Sequence, residues 1–139
     1  MISSQDIRSG IFWLILTVFL EARDQKLIGQ KAVTKVILNR CNNKEKPVHE
    51  IVLAPMQFSC FNEGWTKSLM TAAREAKEIG KVTLNVIDAI SEWEDGANLS
   101  GATHYFNPRL VPGRWPKSWD RKKMVGVGEV DDHSFYREV

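Results

Sequence analysis

A chain of 139 residues with 43% hydrophobic and 26% charged residues is long enough to bury a core and ordinary for a soluble globular protein. Its 19 basic and 17 acidic residues leave a formal charge of +2, too little to imply a nucleic-acid partner. Two cysteines, Cys41 and Cys60, are too few for a disulfide framework and match no zinc or CxxC spacing, so both read as free thiols.

Ser3 with Asp6 three residues later predicts a helix start, an acid variant of the capping box. Ile7, Ile11, Leu14, Ile15 and Val18 then keep helical spacing, while Phe12, Trp13, Leu16 and Phe19 fill the other faces. One helix ending near Arg23 and buried almost all round is expected. Its uncharged run, Ile11 to Leu20, falls well short of the roughly 20 residues that span a bilayer. Asp6 and Arg8 precede the run and no small-residue cleavage site follows, so neither an export signal nor stable membrane insertion is expected.

Glu21 is the first acid after that run. A carboxyl beside apolar neighbours, at the negative end of a helix dipole, is costly to ionise, which suits a general acid. The competing reading is a surface acid paired with Arg23 or Lys26. A second helix is predicted from about Leu27 to Arg40, with Ile28, Ala32, Val33, Val36 and Ile37 as its buried stripe. Asn42 to Lys44 and Pro47 mark a loop, and a short apolar turn follows around Ile51 to Leu53. The aromatic-rich stretch from Pro55 to Trp65 is irregular. A third helix fits Lys67 to Ile79, stopped by Gly80. A fourth fits Val82 to Glu94, with Leu84, Ile87, Ile90 and Trp93 aligned and Gly96 closing it.

Beyond Gly96 the texture turns to Gly, Pro, Trp and Tyr, with short strands expected at 103–106 and 134–137. A loop region this rich in aromatics reads as a structured lid. Arg109, Arg114, Lys117, Arg121, Lys122 and Lys123 crowd a stretch with one acid, Asp120, either an anion-facing surface or a solvated loop. His49, His104 and His133 lack metal-ligand spacing, and no GxSxG, P-loop or dinucleotide fingerprint occurs. No metal and no cofactor are expected. Gln57 and Ser59, set among Phe58, Phe61 and Trp65, mix amide, hydroxyl and aromatic groups in a way that suits sugar rings and also ordinary half-buried loops.

Five blocks in order resemble the cell-wall hydrolases of spore-cortex-lytic (SleB) type. They are Phe19-Leu20-Glu21-Ala22-Arg23, Gly29-Gln30-Lys31-Ala32-Val33 with Val36 to Arg40, Gln57-Phe58-Ser59, Gly101-Ala102-Thr103-His104-Tyr105-Phe106, and His133 to Arg137. Leu20 departs from the pattern, where the family commonly has glycine. The resemblance implies a mainly α (α+β), lysozyme-like helical domain covering residues 1–139, with a loop-rich C-terminal part and one small sheet. It implies cleavage of peptidoglycan glycan strands between N-acetylmuramic acid and N-acetylglucosamine, with Glu21 as the catalytic residue. Gln57, Phe58, Ser59, Thr103, His104, Tyr105, Phe106 and Trp115 are the expected substrate-binding residues.

Because no second acid stands out, a lytic transglycosylase is expected; a muramidase with a second carboxylate from Asp24, Glu45, Glu50 or Glu63 is the alternative. The non-enzymatic rival is a peptidoglycan-binding module. The expected protein is a monomer of phage-endolysin type, made in the cytoplasm and acting on the wall after release through holin pores.

Overall fold

The single helix expected between Ser3 and Arg23 folds as two helices. The structure, a computed structural model, describes residues 2–54 and 57–139, the side chain of Ala76 excepted. α1 (Ser4–Ser9) starts with the predicted cap: the Ser3 hydroxyl accepts from the Asp6 N–H, and the Asp6 carboxylate accepts from the Ser3 N–H. The break falls at Gly10, where an added Cβ would lie 2.7 Å from the Cβ of Val48. The helices divide where the Val48 side chain packs against the bare glycine, a contact invisible in hydrophobic spacing.

α2 (Ile11–Ala22) seats Leu14, Leu16, Val18, Phe19 and Ala22 in the core. It is not buried all round, since Phe12 is 51% exposed. α3 (Leu27–Lys44) continues past Arg40 and buries Val33, Val36, Ile37, Leu38 and Cys41. Ile28 leaves its predicted stripe and is 63% exposed, because Gly29 and Gln30 hold the buried face of that first turn. α4 (Val48–Val52) forms where a mere turn was expected, and its Val48, Ile51 and Val52 close one end of the core.

The next helix boundary also moves. α5 (Trp65–Arg74) and α6 (Ala76–Glu94) meet at Glu75, and Gly80 continues inside α6 instead of stopping a helix. A glycine inside a helix costs about 1 kcal/mol relative to alanine, which packing of a long helix readily exceeds. The face of α6 that enters the core is Val82, Val86, Ala89 and Trp93; Leu84 and Ile87, expected there, are 65% and 49% exposed. α6 crosses α2 and α3, and Glu92 takes Lys31 and Lys35 of α3 at 2.5 and 2.8 Å. Those two ammonium groups hold the Glu92 carboxyl down at about 2.

Residues after α6 build a three-stranded antiparallel sheet in the order β1 (His104–Phe106), β3 (His133–Glu138), β2 (Met124–Val130). Tyr105 lies opposite Phe135, and the β2–β3 pairing is irregular between Gly126 and Gly128. The sheet covers α3 through a small cluster of Ala32, Val36, Ala102 and Phe135. The chain is thus mainly helical with one small sheet, as expected, though β2 was not foreseen. Among the described residues every buried side-chain nitrogen and oxygen has a hydrogen-bond partner, so the polar groups inside the helices are structural members.

Candidate active site

Glu21 sits in the last turn of α2, and the ending of that helix places it. Carbonyl groups at a helix end need outside donors. The Gln30 side chain, buried on α3, supplies them, donating to the Ala22 carbonyl at 3.1 Å and the Gln25 carbonyl at 3.3 Å. Its own oxygen accepts from the Asn85 amide of α6 at 2.6 Å. One amide therefore fastens the carboxylate-bearing turn to two other helices. The helix runs regularly through Leu20, so the leucine is accommodated in place of the family's usual glycine.

Glu21 is half-buried at the wall of a cleft of about 570 Å³. The helical wall is Glu21 and Arg40, the floor is Gln57, Phe58 and Ser59, and the opposite wall is β1 with Trp119 and its loop. The Cys60 N–H donates to Glu21 Oε1 at 3.3 Å. The Cys60 thiol is pushed up by burial, then by the charge of Glu21 and a hydrogen bond to it, so it stays protonated. Burial and the same charge also push up the Tyr105 hydroxyl, leaving a neutral O–H in the cleft.

Asn39 and Arg40 tie α3 to the sheet wall. The Asn39 amide donates to the carbonyls of Asn98 and Ala102, both at 2.8 Å, and accepts from the Trp93 indole at 2.8 Å. The Arg40 Nε donates to the Thr103 carbonyl at 2.5 Å, and its guanidinium lies 5.2 Å from the centre of the Phe58 ring. Burial draws the Arg40 guanidinium down from its ordinary value. Burial, then the Arg40 charge, lowers His104 to about 4, so this cleft imidazole is neutral at neutral pH.

Of the expected site residues, Gln57, Phe58, Ser59, His104, Tyr105 and Phe106 line the cleft together with Glu21. Two do not. Thr103 is buried, its hydroxyl accepting from the Glu138 N–H at 2.9 Å and paired with His104 Nδ1 at 2.9 Å, so it supports the wall. Trp115 stands behind the lining, edge-on to Phe106, Trp119 and Tyr136 at 5.8, 5.7 and 5.1 Å, with Arg121 over its ring. The lining residues missed were Arg40, Val111, Pro116, Ser118 and Trp119. Arg40 closes the asparagine-arginine block, which was the available signal; the loop residues carried none. Both cysteines are free, and among the described residues no three His, Cys, Asp or Glu side chains converge on a metal site.

The profile of the cell wall hydrolase family matches residues 24–136. The chain belongs to that family. Glu21 lies three residues ahead of the matched span and lines the cleft. The spore cortex-lytic enzyme of Halalkalibacterium halodurans is 32% identical over 114 residues, 81% of this chain and 31% of that protein. That of Bacillus subtilis is 31% identical over 129 residues, 91% of this chain and 37% of its own length. The chain therefore spans about a third of the length of these relatives. The crystal structure of the catalytic domain of the Bacillus cereus SleB protein superposes with a TM-score of 0.64 at 24% identity, covering 96% of this chain and 91% of that one. At that identity the likeness establishes a common fold.

Proposed function

We propose that this chain cleaves peptidoglycan glycan strands between N-acetylmuramic acid and N-acetylglucosamine, as a lytic transglycosylase whose lone acid and base is Glu21. One observation carries the mechanism: Glu21 is the single carboxylate among the described residues lining the cleft. Two-carboxylate glycosidases hold their second acid about 5–5.5 Å away for retention or about 6.5–9.5 Å away for inversion. Asp24, Glu45, Glu50 and Glu63 are exposed and none lines the cleft. Family membership and two relatives named spore cortex-lytic enzymes support the substrate class.

In the proposed reaction protonated Glu21 gives its proton to the glycosidic oxygen as the bond to C1 breaks, and the bonding electrons leave with that oxygen. The carbonyl of the muramic N-acetyl group holds the developing positive charge at C1. The Glu21 carboxylate then takes the proton of the sugar's own 6-hydroxyl as that oxygen bonds to C1. An anhydro sugar forms and no water is consumed. The Cys60 N–H steadies the carboxylate form, while Ser59, Gln57 and the neutral Tyr105 and His104 offer hydrogen bonds to sugar hydroxyl and amide groups.

Mass spectrometry of digested wall tests the chemistry: anhydro-muramic ends are expected. Reducing ends, one water heavier, would convert the enzyme to a muramidase. Binding to purified wall with no soluble fragments would reduce it to a glycan-binding module. Delivery through pores opened by a holin belongs to the same proposal and predicts that expression lyses cells only when a pore-former is co-expressed.

A further inference from the structure

A second chamber of about 370 Å³ opens beside the cleft, and Arg40, Gln57 and His104 line both spaces. Those three side chains are the boundary between the chamber and the space around Glu21. The chamber adds Asn43 and Lys44 from the end of α3 and Glu138 from β3. With His104 neutral, the cations Arg40 and Lys44 share the chamber lining with the Glu138 carboxylate. Arg40 uses two of its five N–H groups on the Thr103 carbonyl and on Gln57 Oε1 at 3.5 Å. No carboxylate lies within 4.0 Å of it among the described residues. The Glu138 and Glu21 charges act on Arg40 from farther off, and a half-buried guanidinium with spare donors and no carboxylate in direct contact can receive an anion. The charge of Lys44 also acts on His104, which sets the ammonium group along the same wall.

We propose that this chamber takes the acidic arm carried on the muramic sugar, its carboxylate received by Arg40 and Lys44 at the wall shared with the cleft. The inference rests on the glycan-cleaving reading of Glu21. It adds a specificity element: the enzyme distinguishes sugars by the charge of their 3-O-substituent. That carboxylate has two sources, the stem peptide or, on peptide-free strands, the lactyl group itself.

Arg40 also bonds β1, so its variants disturb the wall, and Lys44, exposed in the last turn of α3, is the cleaner probe. KM and kcat are measured for wild type, Lys44→Gln and Lys44→Glu on three glycans. One bears stem peptides, one has been stripped by an amidase to free lactyl carboxylates, and one is stripped and then methylamidated. Wild type should favour charged over amidated strands in KM. Lys44→Glu should shrink that preference about 10-fold, Lys44→Gln by less, with the shift in KM rather than kcat. A shift with peptide-bearing strands alone assigns the stem peptide, and one with stripped strands assigns the lactyl group. An undiminished preference in Lys44→Glu, or no preference in wild type, overturns the inference while leaving the glycan-cleaving reading intact. A wild-type enzyme inert on all three strands overturns that reading itself, and the inference with it.

Discussion

The two walls of the cleft are built by different physics. On the helical side, charged groups stand on α2 and α3 and are located by directional bonds: Gln30 holds the turn of Glu21, and Asn39 and Arg40 reach across to the sheet. On the other side, Phe106, Trp115, Trp119 and Tyr136 hold one another by ring contacts of 5.1–5.8 Å, the Phe106–Tyr136 pair stacked and the rest edge-on or nearly so. Hydrogen bonds fix a point to within tenths of an ångström, which a proton-transferring group needs. Ring packing fixes a shape, which a sugar face needs. Catalytic and binding defects should therefore separate by wall.

The largest effect should come from the helical wall. Glu21→Gln keeps the side chain's shape and removes the acid. It should cut wall lysis by about 10²–10⁴-fold or more while Tm stays near that of wild type; retained lysis would end the assignment. Next is the tie between the walls. Asn39→Ala leaves the Ala102 carbonyl and the Trp93 indole without their partner, while the Asn98 carbonyl keeps the Gly101 N–H, so urea denaturation should show a loss of about 3 kcal/mol. A loss under about 1 kcal/mol would mean that water replaces the amide.

The aromatic wall should respond in KM. Trp119→Leu removes a lining ring and is expected to raise KM about 10-fold. Trp115→Leu removes a backing ring and should lower Tm more than it changes KM; equal effects of the two would erase the distinction between lining and support. The smallest effect is in pH. Burial lowers both His104 and His133, His104 from the usual 6.5 to about 4. Between those values the unfolded chain binds more protons than the folded one, so stability is full above about pH 6.5 and declines as pH falls toward 4. Calorimetry should show that slope in Tm, and His104→Asn should flatten it.

The fold class was legible because its strongest signals were periodic: α2, α3 and the last turns of α6 announce themselves in apolar spacing, and Ser3 with Asp6 caps α1 as read. The errors have physical causes. Gly10 lies at a helix break where the Val48 side chain, far off in sequence, leaves no room for a Cβ; Gly80, with open space around it, stays inside α6, which Val82 and Val86 hold in the core. Strand β2 escaped notice since its Gly126 and Gly128 interrupt the alternation expected of a strand. Along the cleft, most of the lining residues that sit in blocks were legible in the sequence, and Glu21 stands out there as the acid ending an uncharged run. Arg40 was quoted in a block without a role, and Trp119 reaches the cleft only because a loop without periodicity folds back over β1. Thr103 and Trp115 had the right composition for contact and the wrong depth.

Gln30 sets the datum from which the carboxylate of Glu21 is measured. Its amide refers the end of α2 to Asn85, midway along α6, and makes no reference to α5. The exposed side of α5, with Trp65, Leu69 and Met70, can drift in sequence without recalibrating the acid, whereas a change at Asn85, which touches neither cleft nor substrate, shifts the origin of the whole coordinate system.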